Sequence, residues 1–195
     1  MDRREALKRT ALIMGGVVSA PAIMGVLKGC TAKPGIAWKP VFLSEDQASV
    51  VSAVSDIIIP RTDTPGARDV GVPSFIDQML KEVYAKEDQD DFTNGLTAFN
   101  EQAKSEYGDE FTDLSEEDQA AFVRKLHHAA INTPQPEADS EEKRPFILQM
   151  KELTMLGFFT SKPGATQVLQ YDAIPGSYKG CIPLSEAGNG RTWAG

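Results

Sequence analysis

The sequence predicts an all-α fold, a compact helical bundle of about five helices followed by a long irregular C-terminal arm. Three observations carry that expectation. Apolar residues recur three and four places apart in successive stretches, polar or proline start signals and glycine or proline stops bound those stretches, and the alternation of a strand is nearly absent. With 195 residues, 41% hydrophobic and 25% charged, the chain has the size and composition of one folded domain rather than of a disordered segment.

The N-terminal 30 residues read as an address. Arg3-Arg4-Glu5-Ala6-Leu7-Lys8 is a charged start, and Ala11 to Leu27 follows without a charge and is rich in Gly, Ala and Ser, as in a removable signal rather than a spanning helix. Arg3 and Arg4, with Leu7 and Lys8 behind them, resemble the twin-arginine signal, although Ala6 stands where an aromatic is usual; an ordinary secretory signal is the alternative. Two cleavage readings stay open. Leu27-Lys28-Gly29-Cys30 resembles a lipobox, which would make Cys30 an acylated first residue, and a cut after Ala20-Pro21-Ala22 is the other. Both place the mature protein in the periplasm, and only the first tethers it to the membrane. Residues 31–42, with Pro34-Gly35, then form a linker, and residues 43–195 form the folded domain including an arm over 161–195.

Each helix has its own signals. Ser44 and Gln47 make a capping box ahead of Val50, Val51, Val54, Ile57 and Ile58, and Pro60 stops that helix. Residues 60–73 hold three prolines and two glycines, a loop of fixed and unusual backbone. Pro73 opens a second helix with Phe75, Ile76, Met79, Leu80, Val83 and Tyr84 as its stripe. A third is expected from near Asp88, carrying Phe92, Leu96, Phe99, Ala103 and Tyr107, with Gly108 as its C-terminal stop. Ser115 caps a fourth, whose Glu116, Glu117 and Asp118 suit the helix dipole and whose Phe122, Val123, Leu126 and Ala130 turn inward. A polar connection over 132–143 leads to Pro145 and a fifth helix, with Phe146, Ile147, Met150, Leu153, Leu156 and Phe158 directed mostly to the core. From Ser161 onward six glycines and three prolines alternate with Val168, Leu169, Tyr171, Ile174, Tyr178, Ile182 and Trp193. Disordered tails seldom hold so many large apolar groups, so an ordered arm lying across the bundle or across another protein is expected.

Removing the first 30 residues takes away five basic and two acidic groups, moving the formal charge from -8 to -11. Such a body repels phosphate backbones, and nucleic acid is not an expected partner. There is no G-x-G-x-x-G after a strand, no Walker loop and no C-x-x-C, hence no recognisable seat in this chain for a flavin, a nucleotide, haem c or an iron–sulfur cluster. His127 and His128 are neighbours about 100° apart on a helix and cannot chelate one ion; one is expected to pack or cap while the other meets solvent. Asp56, Arg61, Asp63, Arg68 and Asp69 alternate in sign around the proline-rich loop, which favours mutual ion pairing that shapes the loop. Glu116/Glu117 and Glu141/Glu142 read as solvated charges, and Cys181 as either free or paired with an unmodified Cys30. No catalytic, cofactor-binding or metal-binding residue is expected, and the chain is not expected to turn over a substrate alone.

Ile57-Ile58-Ile59-Pro60-Arg61-Thr62-Asp63-Thr64-Pro65-Gly66-Ala67 and Gly71-Val72-Pro73-Ser74-Phe75-Ile76-Asp77 resemble a loop of the gluconate 2-dehydrogenase subunit 3 family. So do Lys151-Glu152-Leu153-Thr154-Met155-Leu156-Gly157-Phe158-Phe159-Thr160-Ser161, Gly164-Ala165 and Tyr171-Asp172-Ala173-Ile174-Pro175-Gly176. The resemblance implies the small subunit of a periplasmic, membrane-associated sugar or sugar-acid dehydrogenase. Its large partner, of the glucose–methanol–choline type, would hold FAD, and a cytochrome c with haem c would accept the electrons. In that family the small subunit is required for export and maturation of the large one, which would explain a twin-arginine signal on a chain without a cofactor: the signal serves a cargo. Arg61, Asp63, Phe159, Tyr171, Tyr178 and Trp193 are then the candidate interface residues, with the aromatics as anchors. The rival expectation is a free-standing periplasmic lipoprotein that binds some ligand.

Overall fold

The computed structural model describes residues 36, 38–134, 143–174, 176–177, 179–183, 185–186 and 190–194. Arg3, Arg4 and Cys30 of the expected signal lie outside the described residues, as do Glu141, Glu142 and the candidate Tyr178. The described residues hold five α-helices: α1 (Glu45–Ile58), α2 (Val72–Glu82), α3 (Lys86–Tyr107), α4 (Glu116–Ile131) and α5 (Phe146–Thr160). A short 3-10 turn, Phe111–Asp113, precedes α4, and a π-helical turn, Gly164–Val168, follows α5. Among the described residues the only β pairing is an isolated parallel bridge between Gln170 and Trp193.

Local signals set the helix ends. Ser44 Oγ accepts from the Gln47 amide at 3.2 Å and Gln47 Oε1 accepts from the Ser44 amide at 3.0 Å, the reciprocal capping box of α1. Ser115 Oγ likewise accepts from the Asp118 amide at 3.2 Å at the start of α4. Helix α3 begins at Lys86, two residues before the Asp88 expected from sequence, so that Glu87 and Asp88 both fall in its first turn, where the dipole favours negative charge. Gly108 ends it with φ +87°, the left-handed conformation glycine adopts without strain.

Helix α5 is the axis of the bundle and packs against each of the other four helices. It buries Ile147, Leu148, Met150, Leu153, Thr154, Gly157 and Phe158. Its one buried hydroxyl, on Thr154, donates to Ser55 Oγ of α1 at 3.4 Å, which offsets the cost of placing both hydroxyls in an apolar interior. At one end of the core Phe99 is the hub of an aromatic cluster, with ring centroids 4.8 Å from Phe111, 5.0 Å from Phe122 and 5.5 Å from Phe146, edge-on or tilted as ring quadrupoles prefer. Three expectations shift. Val83, expected in the apolar stripe of the second helix, is the residue just past the end of α2 and is 65% exposed, because the chain there leaves the packed face. Leu156, expected to face the core, is 46% exposed, because the arc of α5 it occupies with Met155 is not covered by the other helices. Ile36, Trp38 and Phe42, expected within a linker, pack against the core, and Leu43 is buried.

Candidate functional site

The loop between α1 and α2 is held from within. The Ala67 amide donates to Ile59 O at 2.8 Å and the Val72 amide to Ala67 O at 3.0 Å, closing the chain back onto the end of α1, with Ala67 and Val72 fully buried. That closure brings Gly66 against backbone: a Cβ there would lie 2.6 Å from Arg61 N and 3.0 Å from Pro60 C, so only glycine fits without displacement. Arg61 grips Asp69 with both arms of its guanidinium, Nε to Oδ2 at 2.7 Å and Nη2 to Oδ1, while Asp69 Oδ2 also accepts the Gly66 amide at 2.9 Å. The Arg61 hydrogen bond, then that amide, hold the Asp69 carboxyl down at about 2. Arg68 pairs with Asp56 of α1 at 3.6 Å. Four of the five charges expected to shape the loop therefore do so by pairing. Asp63 is exposed and takes no part in these pairs.

At the other end of α5 the chain turns sharply. Ser161 Oγ accepts the Gly164 amide at 3.1 Å, and Val168 packs on the core. The Gln170 amide then donates to Thr192 O at 2.7 Å and the Ala194 amide to Gln170 O at 2.8 Å, joining the beginning and end of the arm. Tyr171 and Trp193 flank this junction, 56% and 45% exposed, and Ile174 is 85% exposed. Phe159 is half-buried, edge-on to Phe158 with centroids 5.3 Å apart. The structure thus sets Tyr171 and Trp193 at one junction, seats Phe159 at the edge of the core, and holds Arg61 in the loop. Beside Phe159, α5 presents Met155 and Leu156 to solvent, 41% and 46% exposed. Between Glu152 and Thr160 its outer arc thus holds an apolar strip of Met155, Leu156 and Phe159, large groups that a helix serving only this bundle would have no need to show to water.

Two arrangements escape the sequence reading. Asp77 of α2, only 1% exposed, accepts the amides of Val41 at 2.7 Å, Phe42 at 3.1 Å and Leu43 at 2.8 Å. The signal was its position: Asp77 falls four residues after Pro73 and three before Leu80, on the buried face of α2. The second is His127, half-buried on α4, whose Nε2 lies 3.0 Å from Lys151 Nζ of α5. An ammonium only donates, so Nε2 accepts and the ring proton sits on Nδ1. Burial first, then the charge of Lys151, lowers the His127 pKa. His128 points to solvent and meets Asn132 near the end of α4. One histidine packs and the other is solvated, as their adjacency requires.

Among the described residues no group of three His, Cys, Asp or Glu side chains is placed to hold a metal ion, and no helix is long and apolar enough to cross a membrane. Neither a curated protein nor a solved structure matches the chain. The family model for gluconate 2-dehydrogenase subunit 3 matches residues 45–176, from the first turn of α1 through the bundle and into the arm. The chain belongs to the gluconate 2-dehydrogenase subunit 3 family and is a subunit of a dehydrogenase complex.

Proposed function

We propose that this chain is the non-catalytic small subunit of a periplasmic, membrane-associated dehydrogenase acting on a sugar or sugar acid, and that it supports the folding and twin-arginine export of the catalytic subunit. FAD belongs to that partner, of the glucose–methanol–choline type, and haem c to the cytochrome c that takes the electrons. Cys30, acylated, anchors the assembly to the bilayer. What supports this reading is the family match, the paired Arg3 and Arg4 ahead of an uncharged run, and the two-faced helix α5.

The observation that carries it is α5. One arc of the helix holds the bundle together, and the other shows Met155 and Leu156 to solvent next to Phe159. A flavoprotein laid on that arc and on the aromatics of the arm would remove from water the apolar groups the bundle leaves uncovered, with a few buried aromatics supplying most of the affinity. In cells expressing both subunits, the M155E/L156E pair is expected to abolish co-elution with the yellow partner and reduce its periplasmic yield by about tenfold or more. Truncation after Ser161 tests the arm in the same way. Co-elution and yield unchanged in both variants would overturn the proposed docking face.

A further inference from the structure

A cleft of about 420 Å³ opens between the end of α1, α4 and the start of α5. Its floor is branched and apolar, formed by Ile57, Ile58, Val123 and Ile147, and its rim carries Arg124, His127 and Lys151. No acidic side chain lines it. In a chain of formal charge -8 this is an inversion of the local sign. Neighbouring basic groups on α4 and the approach to α5 meet acidic partners, Lys125 with Glu106, Lys143 with Asp91 and Arg144 with Glu152. Arg124 and Lys151 form no ion pair among the described residues. Lys151 spends one N–H on His127 Nε2 and keeps two, and Arg124 keeps its planar fork.

An apolar floor under a cationic rim selects for an amphiphile. A polyhydroxylated acid would bring its hydroxyls against four branched hydrocarbon side chains that offer them no hydrogen bond, a cost its single carboxylate does not offset. A purely apolar ligand would leave the rim unused. We propose that this cleft binds a monocarboxylate with an unbranched apolar tail, its carboxylate on Lys151 and Arg124 and its tail along Ile57, Ile58, Val123 and Ile147. The site is distinct from the outer arc of α5 and stands or falls independently of the subunit reading.

The test is titration of the purified protein with decanoate, followed by calorimetry and by the ring signals of its two histidines, against decanol, acetate and gluconate. Decanoate is expected to bind at least about tenfold more tightly than each of the other three, since only it satisfies both floor and rim. The His127 ring signals should move and those of His128 stay. A tryptophan at the half-buried wall position, A120W, fills the cleft and should abolish decanoate binding. The rim pair K151M/R124Q, one half-buried and one exposed, should weaken decanoate by about tenfold or more while leaving decanol unchanged, and provides an independent arm if A120W does not fold as judged by circular dichroism. Equal affinity for decanol and decanoate, gluconate binding as tight as decanoate, or decanoate affinity unaltered in K151M/R124Q would each overturn the proposal.

Discussion

Asp77 accepts three consecutive backbone amides from the segment that leads into α1, a role that a helix N-cap residue usually fills for one. A buried carboxylate is costly to place, and three donors converging on two oxygens are what make it tolerable. Asp77→Asn keeps the shape but turns an amide group toward amides, so we expect a loss of about 2–3 kcal/mol, read as a fall in Tm of roughly 5–10 °C. An unchanged Tm would show that the three bonds contribute nothing net. Gly66 is governed by space rather than charge. Gly66→Ala places a methyl 2.6 Å from Arg61 N, where the obstacle is backbone and cannot rotate away. A cost of about 2–3 kcal/mol in denaturant midpoint and loosening of the Arg61–Asp69 grip are expected. The need for glycine at this point of the loop was not legible in the sequence, because the clash is with atoms five and six positions back that only the folded loop brings near.

At the scale of elements, the helices were readable because their punctuation is local. Ser44, Ser115, Pro73 and Gly108 each act within about one turn of their own position, and the structure puts every one of them at a helix end. The inward faces of α2, apart from Val83 at its end, and of α4 follow from spacing for the same reason. Helix α5 resists such reading. Its apolar residues spread beyond one arc, so periodicity could not say that Leu153 is inside and Leu156 outside, and the answer comes from which arc the other helices occupy. The same holds for the arm: its composition announced order, but the junction at Gln170 and Trp193 depends on residues more than twenty places apart. The candidate surface was therefore legible as a list of aromatics and not as a shape. Tyr171 and Trp193 flank one junction, while Asp63 stands apart from the ion pairs that its neighbours form.

Across the whole molecule, the pH response follows from where charge is held. His127 has a lowered pKa, so the unfolded chain binds its proton first; stability is highest above the ordinary histidine value of 6.5 and falls as pH drops below it. Asp69 acts with the same sign lower down, its contribution being complete above 3.8 and lost as pH falls toward about 2. We therefore expect Tm to decline in two stages on acidification, with the first stage reduced in His127→Gln, and Tm measured across the pH range in both proteins checks it. A wild-type and a variant curve of identical shape between pH 7 and 5 would remove His127 from the account. The clamp on residues 41–43 also has a mechanical meaning for the body as a whole. Tension drawn along the chain from its leading end enters α2 through three parallel bonds to one side chain before it reaches the first turn of α1. A bundle hauled by that end is thus loaded at an internal helix, and resists being peeled open from its beginning.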